Sequence, residues 1–388
     1  MIRPKLLIAT DQFQLDNEKS GGAGVYAYEI AQSLSKRGIA VHVLTVGKEN
    51  KNVVINKNLI IHWRKVSNIP LLKAYSRIMM FNKYSHKIIE ENGINILHSN
   101  TLFNAFERNK VLHVHTIHHP IILEYNLKNI LRKISILPDI LLEKILLKKT
   151  HHIIAVSHLT YNYLIKTNPK IKNKVSILSE GVNINQFKKL KYNELSLKSN
   201  VKQSVLFSPG GAREERKGSK ILLKTLFRLK ETYDIKCVIS GKSRKFGWEN
   251  EFTGNIKKYN LQDILILPGE INYKDLPKYY SASDIIVYPS LFEGFGIPIL
   301  EAMACQKPII ATKTGEASYI IDNMKNGVLI NSGDSKSLYN SIDYLIKNTK
   351  FRKKISIAGR NKIIKYYNLT SSISGLIKIY FNLLNKKN

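Results

Sequence analysis

The chain has 388 residues, 44% of them hydrophobic, which is enough for two buried cores, and 61 Lys+Arg against 29 Asp+Glu leave a net charge of +32. No run approaches the ~18 continuous apolar residues of a membrane span, and residues 1–9 read as a first strand rather than a secretory leader. Zinc-finger, RNP and basic-zipper spacings are absent, so nucleic acid finds no supporting motif, and Cys237 and Cys305 read as buried thiols of a reducing, cytoplasmic compartment.

Residues 5–10 are predicted as strand, and a polar stretch then leads into the glycine loop Gly21-Gly22-Ala23-Gly24. A helical pattern follows through Tyr28, Ile30, Ala31 and Leu34 and stops at Lys36-Arg37-Gly38. Residues 41–46 form the next strand. This opening lacks G-x-G-x-x-G, and no acid closes its second strand, so it fits a dinucleotide fingerprint only loosely. Further strands are expected at 59–63, 94–97, 111–116 and 152–156. Four histidines, His113, His115, His118 and His119, crowd the end of the third of these, where parallel sheets bind ligands. They suggest a site, yet no carboxylate or cysteine completes a metal set.

Residues 188–203 are polar and without period, and mark a boundary. A second series follows: strand 204–208, helix 220–231, strands 236–240 and 264–267, helix 276–282, and strands 284–289 and 307–312. Strands alternating with helices twice over predict two parallel-sheet α/β domains. The last segment, 371–384, carries Ile373, Leu376, Ile377, Tyr380 and Leu384 on one helical face.

Two places carry charge suited to chemistry. Arg213, Arg216 and Lys217 precede Gly218 and a helix start, a setting for an anion. In 290–305, Glu293 and Glu301 flank a Gly-Phe-Gly turn, and Pro298 suits the first helical position. Glu293 is then in the loop and Glu301 in the first turn. The amides of Phe295, Gly296 and Ile297 lie beside the positive end of the helix dipole. A sugar carried on a nucleoside diphosphate matches that pattern of anion and hydroxyls.

Glu293-Gly-Phe-Gly-Ile-Pro-Ile-Leu-Glu301 resembles the E-x7-E motif of family 4 retaining glycosyltransferases. The Gly21–Gly24 loop, His118, Glu180-Gly-Val-Asn183 and Arg213-Glu-Glu-Arg-Lys-Gly218 resemble the family's other landmarks in order. The likeness runs from about residue 4 to the C-terminal helix. It implies the GT-B fold, two Rossmann-like domains facing across a cleft: residues 1–195 for the acceptor, joined by the crossing-back helix 371–388, and 200–370 for the nucleotide-sugar donor. It implies transfer from a UDP- or GDP-sugar to a glycan, lipid-linked or polymer acceptor, with retention by same-face attack and with neither cofactor nor metal.

The resemblance also implies roles. Lys217 and an arginine hold the diphosphate. The family's arginine position falls on Gly211 or Ala212, so Arg213 or Arg216 substitutes. Glu301 takes the ribose hydroxyls; Glu293 and His118 approach the donor sugar; Phe295, Gly296, Ile297 and Gly22 contact the donor. The family's usual Asn-Gly-Val-Asp is Glu180-Gly-Val-Asn183 here. Two competing readings are a nucleotide-sugar epimerase of the same fold and a basic membrane- or nucleic-acid-binding protein with a degenerate site. Part of the basicity is compositional, but residues 71–81 and 121–149 mix Leu/Ile with Lys/Arg as amphipathic helices on an anionic membrane do, which suggests a peripheral place on the inner face of the plasma membrane.

Overall fold

The computed structural model describes residues 2–13, 22–67, 69–104, 111–122, 136–190, 195, 197–198, 200–212, 215–241 and 248–387. The chain divides into two compact units, Met1–Ser179 with Ser372–Asn388, and Glu180–Ser371.

The first unit is built on an eight-stranded sheet of order β3-β4-β2-β1-β5-β6-β7-β8. Its strands are β1 (Lys5–Ala9), β2 (Ala40–Gly47), β3 (Lys51–Asn56), β4 (Leu59–Lys65), β5 (Ile96–Ser99), β6 (Leu112–Ile117), β7 (His152–Ala155) and β8 (Val175–Ile177). Leu6 to Ala9 are wholly buried, as expected of a central parallel strand covered on both faces. Only β3 runs antiparallel, a hairpin return at the edge with few buried groups. Helix Gly22–Lys36 buries Ala27, Ile30, Ala31 and Leu34 on one stripe. Helices Pro70–Asn92 and Leu137–Lys149 share one core through Met80, Phe81, Leu142 and Leu146, on the face of Leu7 and Leu97. The chain leaves β1 toward β2 and later returns to β5 on the other side of β1. The winding therefore reverses between β1 and β5, and ligands of such sheets bind at that point, outside the carboxyl ends.

The final helix, Leu369–Lys387, seats Ile373, Leu376 and Tyr380 in the first unit. The Tyr380 hydroxyl lies 2.5 Å from His98 Nδ1, and Gly375 allows close approach to Leu178.

The second unit has an all-parallel sheet of order β11-β10-β9-β12-β13-β14. Its strands are β9 (Ser204–Ser208), β10 (Ile235–Ile239), β11 (Leu265–Ile266), β12 (Ile285–Tyr288), β13 (Ile309–Thr312) and β14 (Val328–Ile330). Its winding reverses between β9 and β12. The expected first-domain limit at residue 195 needs correction, because residues from Glu180 onward go with this second unit. Val182 bridges Asn368, and the buried Phe187 ring meets Tyr273 and Tyr280 at centroid distances of 5.2 and 6.1 Å. An aromatic side chain this well packed fixes the segment to its neighbours.

Candidate active site

The switch point of the second unit gathers most of the expected residues. After β9 the chain turns through Gly210 and Gly211 to a short 3₁₀ turn, Glu215–Lys217, then Gly218 and helix Ser219–Leu229. Gly218 has φ +74°, and a Cβ there would sit 1.9 Å from the Pro289 carbonyl oxygen. Only glycine lets this turn touch the loop after β12. The contact is sealed by Leu291 N–H donating to Arg216 O (2.7 Å) and by Arg216 Nη1 donating to Phe292 O (3.2 Å).

Glu293 is the hub. Lys217 Nζ donates to its Oε1 at 2.8 Å, Ser290 Oγ donates to the same oxygen at 2.7 Å, and Arg216 Nη1 lies 3.5 Å from Oε2. Burial alone would raise this carboxyl, which is 7% exposed; the Lys217 and Arg216 charges outweigh that and hold it at about 2. Lys217 also donates to the Tyr288 hydroxyl (3.3 Å) and stands 5.5 Å from the centre of its ring. One carboxylate between two cations leaves the cluster net positive, pre-oriented for an anion.

Gly296, at φ +108°, caps helix Ile297–Ala304. Pro298 is thus the second helical residue rather than the first, and Glu301 lies in the second turn rather than the first. The dipole argument for Glu301 lapses, since the effect fades within one turn. What holds it is Tyr280, whose hydroxyl donates to Oε2 at 2.7 Å; Glu301 is 4% exposed. Phe295 is buried and its carbonyl accepts from Glu316 N–H at 2.9 Å. Gly315, at φ +56°, makes room there: a Cβ would lie 2.5 Å from Phe295 O. Helices leave their first amides without carbonyls of their own, so the Ile297 end is suited to accept ligand oxygens.

The remaining expected residues fall elsewhere. Arg213 and Gly21 lie outside the described residues. Gly22 and His118 belong to the first unit. Gly22 opens helix Gly22–Lys36 rather than preceding it in a loop, and His118 follows β6 with the Tyr26 ring edge-on at 5.0 Å. His113 and His115 do not reach the strand end. Both point to Ser99 Oγ, at 2.8 and 2.9 Å, inside the sheet, where burial lowers them, His115 to about 4. Sequence reasoning missed Tyr280, Tyr288 and Ser290. Ser290 alone left a signal, three residues before Glu293 in the same loop.

Residues 20–186 match the model of Glycosyltransferase Family 4, and residues 193–362 that of Glycosyl transferases group 1. The chain belongs to glycosyltransferase family 4, with the GT-B fold. This transferase is 28% identical over 375 residues to an uncharacterized glycosyltransferase of Methanocaldococcus jannaschii, covering 94% of this chain and 95% of that one. It is 21% identical to the N-acetyl-alpha-D-glucosaminyl L-malate synthase of Bacillus anthracis, with 94% of each covered. Among solved structures, sucrose-phosphate synthase from Thermosynechococcus elongatus superposes with TM-score 0.84 at 18% identity, over 99% of this chain and 100% of that one. Anabaena HepE, solved with UDP-glucose, gives 0.76 at 18% identity, over 97% of this chain and 99% of that one. The epimerase alternative finds no support in these likenesses. No helix among the described residues is long and apolar enough to cross a membrane.

Proposed function

We propose that this glycosyltransferase moves a hexose from a UDP- or GDP-sugar to a glycan or lipid-linked acceptor of a surface polysaccharide, with retention and without metal. The observation that carries the reading is the Lys217–Glu293–Arg216 cluster, built where the second sheet reverses its winding and where two glycine-capped helices begin. Lys217, with Arg216 and Arg213, stabilises the charge that grows on the departing diphosphate. Glu301 takes the ribose hydroxyls. Glu293, kept ionised, accepts from the donor sugar, which the amides of Phe295, Gly296 and Ile297 also contact. The departing phosphate oxygen takes the acceptor proton, so the enzyme supplies no nucleophile. Relatives described as a capsular polysaccharide glycosyltransferase of Staphylococcus aureus (26% identical over 58% of this chain) and a lipopolysaccharide core mannosyltransferase of Rhizobium meliloti (22% over 62%) favour a surface-glycan acceptor.

A panel of nucleotide sugars, scored for UDP or GDP release with and without acceptor and with EDTA present, tests the donor and the metal. Proton NMR of the product tests stereochemistry: an inverted anomer rejects same-face attack.

A peripheral site on the cytoplasmic side of an anionic membrane is the second part of the reading. Tyr75 and Met79 on helix Pro70–Asn92, and Leu137 and Leu141 on helix Leu137–Lys149, are exposed on two helices that share one core, with Lys83, Lys144 and Lys148 exposed beside them. Exposed apolar groups ringed by lysine suit an anionic bilayer. Flotation with vesicles containing anionic lipid, lost at high salt, is the expected result; sedimentation with the unbound fraction removes the membrane from the account.

A further inference from the structure

In the first unit the winding of the sheet reverses between β1 and β5, and Asp11, Arg77 and Asn100 are placed at the carboxyl ends of those strands. Asn100 directly follows β5, and its N–H donates to Ala9 O at 2.8 Å, holding the two strand ends together. Asp11 lies two residues beyond β1, turned by Thr10, whose hydroxyl donates to Gln12 O. Arg77 reaches in from helix Pro70–Asn92, with its guanidinium over the Phe103 ring at 5.4 Å and Nη1 at 3.7 Å from Asp11 Oδ2.

The polar atoms here are under-used. Both Nδ2 and Oδ1 of Asn100 are shielded from solvent and have no hydrogen-bonding partner among the described residues, and the same is true of Arg77 Nε. Leaving a buried donor or acceptor unpaired costs about 1–3 kcal/mol each, so three such atoms at one strand end are unexpected unless something binds there. A distance of 3.7 Å is too long for a hydrogen bond, so Asp11 and Arg77 also keep capacity for another partner. Asn100 and Asp11 as residues remain partly accessible, which leaves an approach from the strand ends.

We propose that Asp11, Arg77 and Asn100 form a subsite that binds adjacent hydroxyls of a neutral pyranose at the end of the acceptor. The amide offers an NH2 donor group and a carbonyl acceptor, matching a hydroxyl pair; Arg77 Nε–H donates and the Asp11 carboxyl accepts. The Asp11 carboxylate offsets the guanidinium, which selects against phosphate and for an uncharged polyol. The assignment of the subsite's ligand to the acceptor rests on the transferase reading above.

The test is ligand-observed saturation-transfer NMR on the full chain, using the methyl α-pyranosides of glucose, mannose, galactose and N-acetylglucosamine, with UDP and GDP in separate samples. At least one pyranoside is expected to receive magnetisation, and Asn100→Leu to cut that signal about fivefold or more while the nucleotide signal stays. Asp11→Asn is expected to weaken it too, and it decides the matter should Asn100→Leu fail to fold. Pyranosides that never touch the wild type, signals indifferent to both variants, or displacement by inorganic phosphate each overturn the subsite. If neither nucleotide binds the wild type, the transferase reading falls by itself, and the pyranoside arm still decides whether the subsite exists.

Discussion

The two sheets place their ligand ends at equivalent topological points but furnish them with opposite chemistry. Between β9 and β12 of the second unit, Glu293 accepts from Lys217 and Ser290 and faces Arg216, so its carboxylate is ionised and held before any ligand arrives. Between β1 and β5 of the first unit, the side-chain amide of Asn100 has no partner among the described residues, and the sheet beneath is threaded with neutral histidines. A charged leaving group needs a preorganised field, whose donors do not have to move during the reaction. An alcohol acceptor needs only hydroxyl complements in a site that does not draw in anions. On the proposed reading, the difference between the units is the difference between the two substrates of a transfer.

The largest consequence of this contrast concerns acid. Burial lowers His98 to about 3, and His62 and His115 to about 4, against a usual 6.5. Unfolded histidines take up protons below 6.5 while the folded ones do not, so the first unit loses stability as pH falls from about 6.5 toward 4. Glu293 acts in a lower window. Its folded value of about 2 lies below the usual 4.5, so its contribution is complete above 4.5 and is lost as pH falls through 2. That contribution is on the order of 3 kcal/mol; the three histidines together amount to more. Amide exchange followed by mass spectrometry, corrected for intrinsic rates, should show β1, β5 and β6 losing protection near pH 5 while β9 and β12 keep theirs. Both sheets opening at one pH would break the comparison.

The second consequence is catalytic. Lys217→Ala removes the half-buried cation that faces both Glu293 and the expected diphosphate, so kcat/KM for the donor should fall about 10²–10³-fold. Thermal unfolding should stay cooperative but shift to lower temperature, because the buried Glu293 carboxylate loses one of the two cations that hold it ionised. Turnover within a few-fold of the wild type would reduce the cluster to a structural ion pair.

Much of this second site was legible because its charges are spaced by local sequence. Arg216-Lys217-Gly218 and the Glu293/Glu301 pair each fall within one loop and one helix start, where spacing alone sets their neighbourhood. The turn assignment of Glu301 slipped because Gly296 adopts a left-handed conformation and starts the helix one residue early. Asp11, Arg77 and Asn100 left no comparable trace. Each follows or faces an ordinary apolar run, and only the strand order, with β5 placed beside β1, brings them together. β3 escaped notice because an exposed edge strand such as Lys51–Asn56 buries neither face and so lacks alternation. The sequence alone places residues 180–190 in the first domain because the aromatic partners of Phe187, Tyr273 and Tyr280, lie far away in sequence.

The smallest effect tests whether Glu301 is a ligand group or only a well-satisfied core residue. Tyr280→Phe removes the hydroxyl that donates to Glu301 Oε2 and changes almost nothing in volume. A purely structural carboxylate would respond only in stability, by about 1–3 kcal/mol for the lost partner. A carboxylate that must also present its other oxygen to a ribose depends on that hydroxyl for its orientation. Its loss should then raise the donor KM several-fold with kcat little changed, because ribose contacts are alike in the ground and transition states. Deoxyribose donors separate the two cases: removing the 2′-hydroxyl should penalise the wild type more than Tyr280→Phe, in which that contact is already weakened. Equal penalties would assign Glu301 to the core and leave the nucleotide to the backbone amides and the cations beside Glu293.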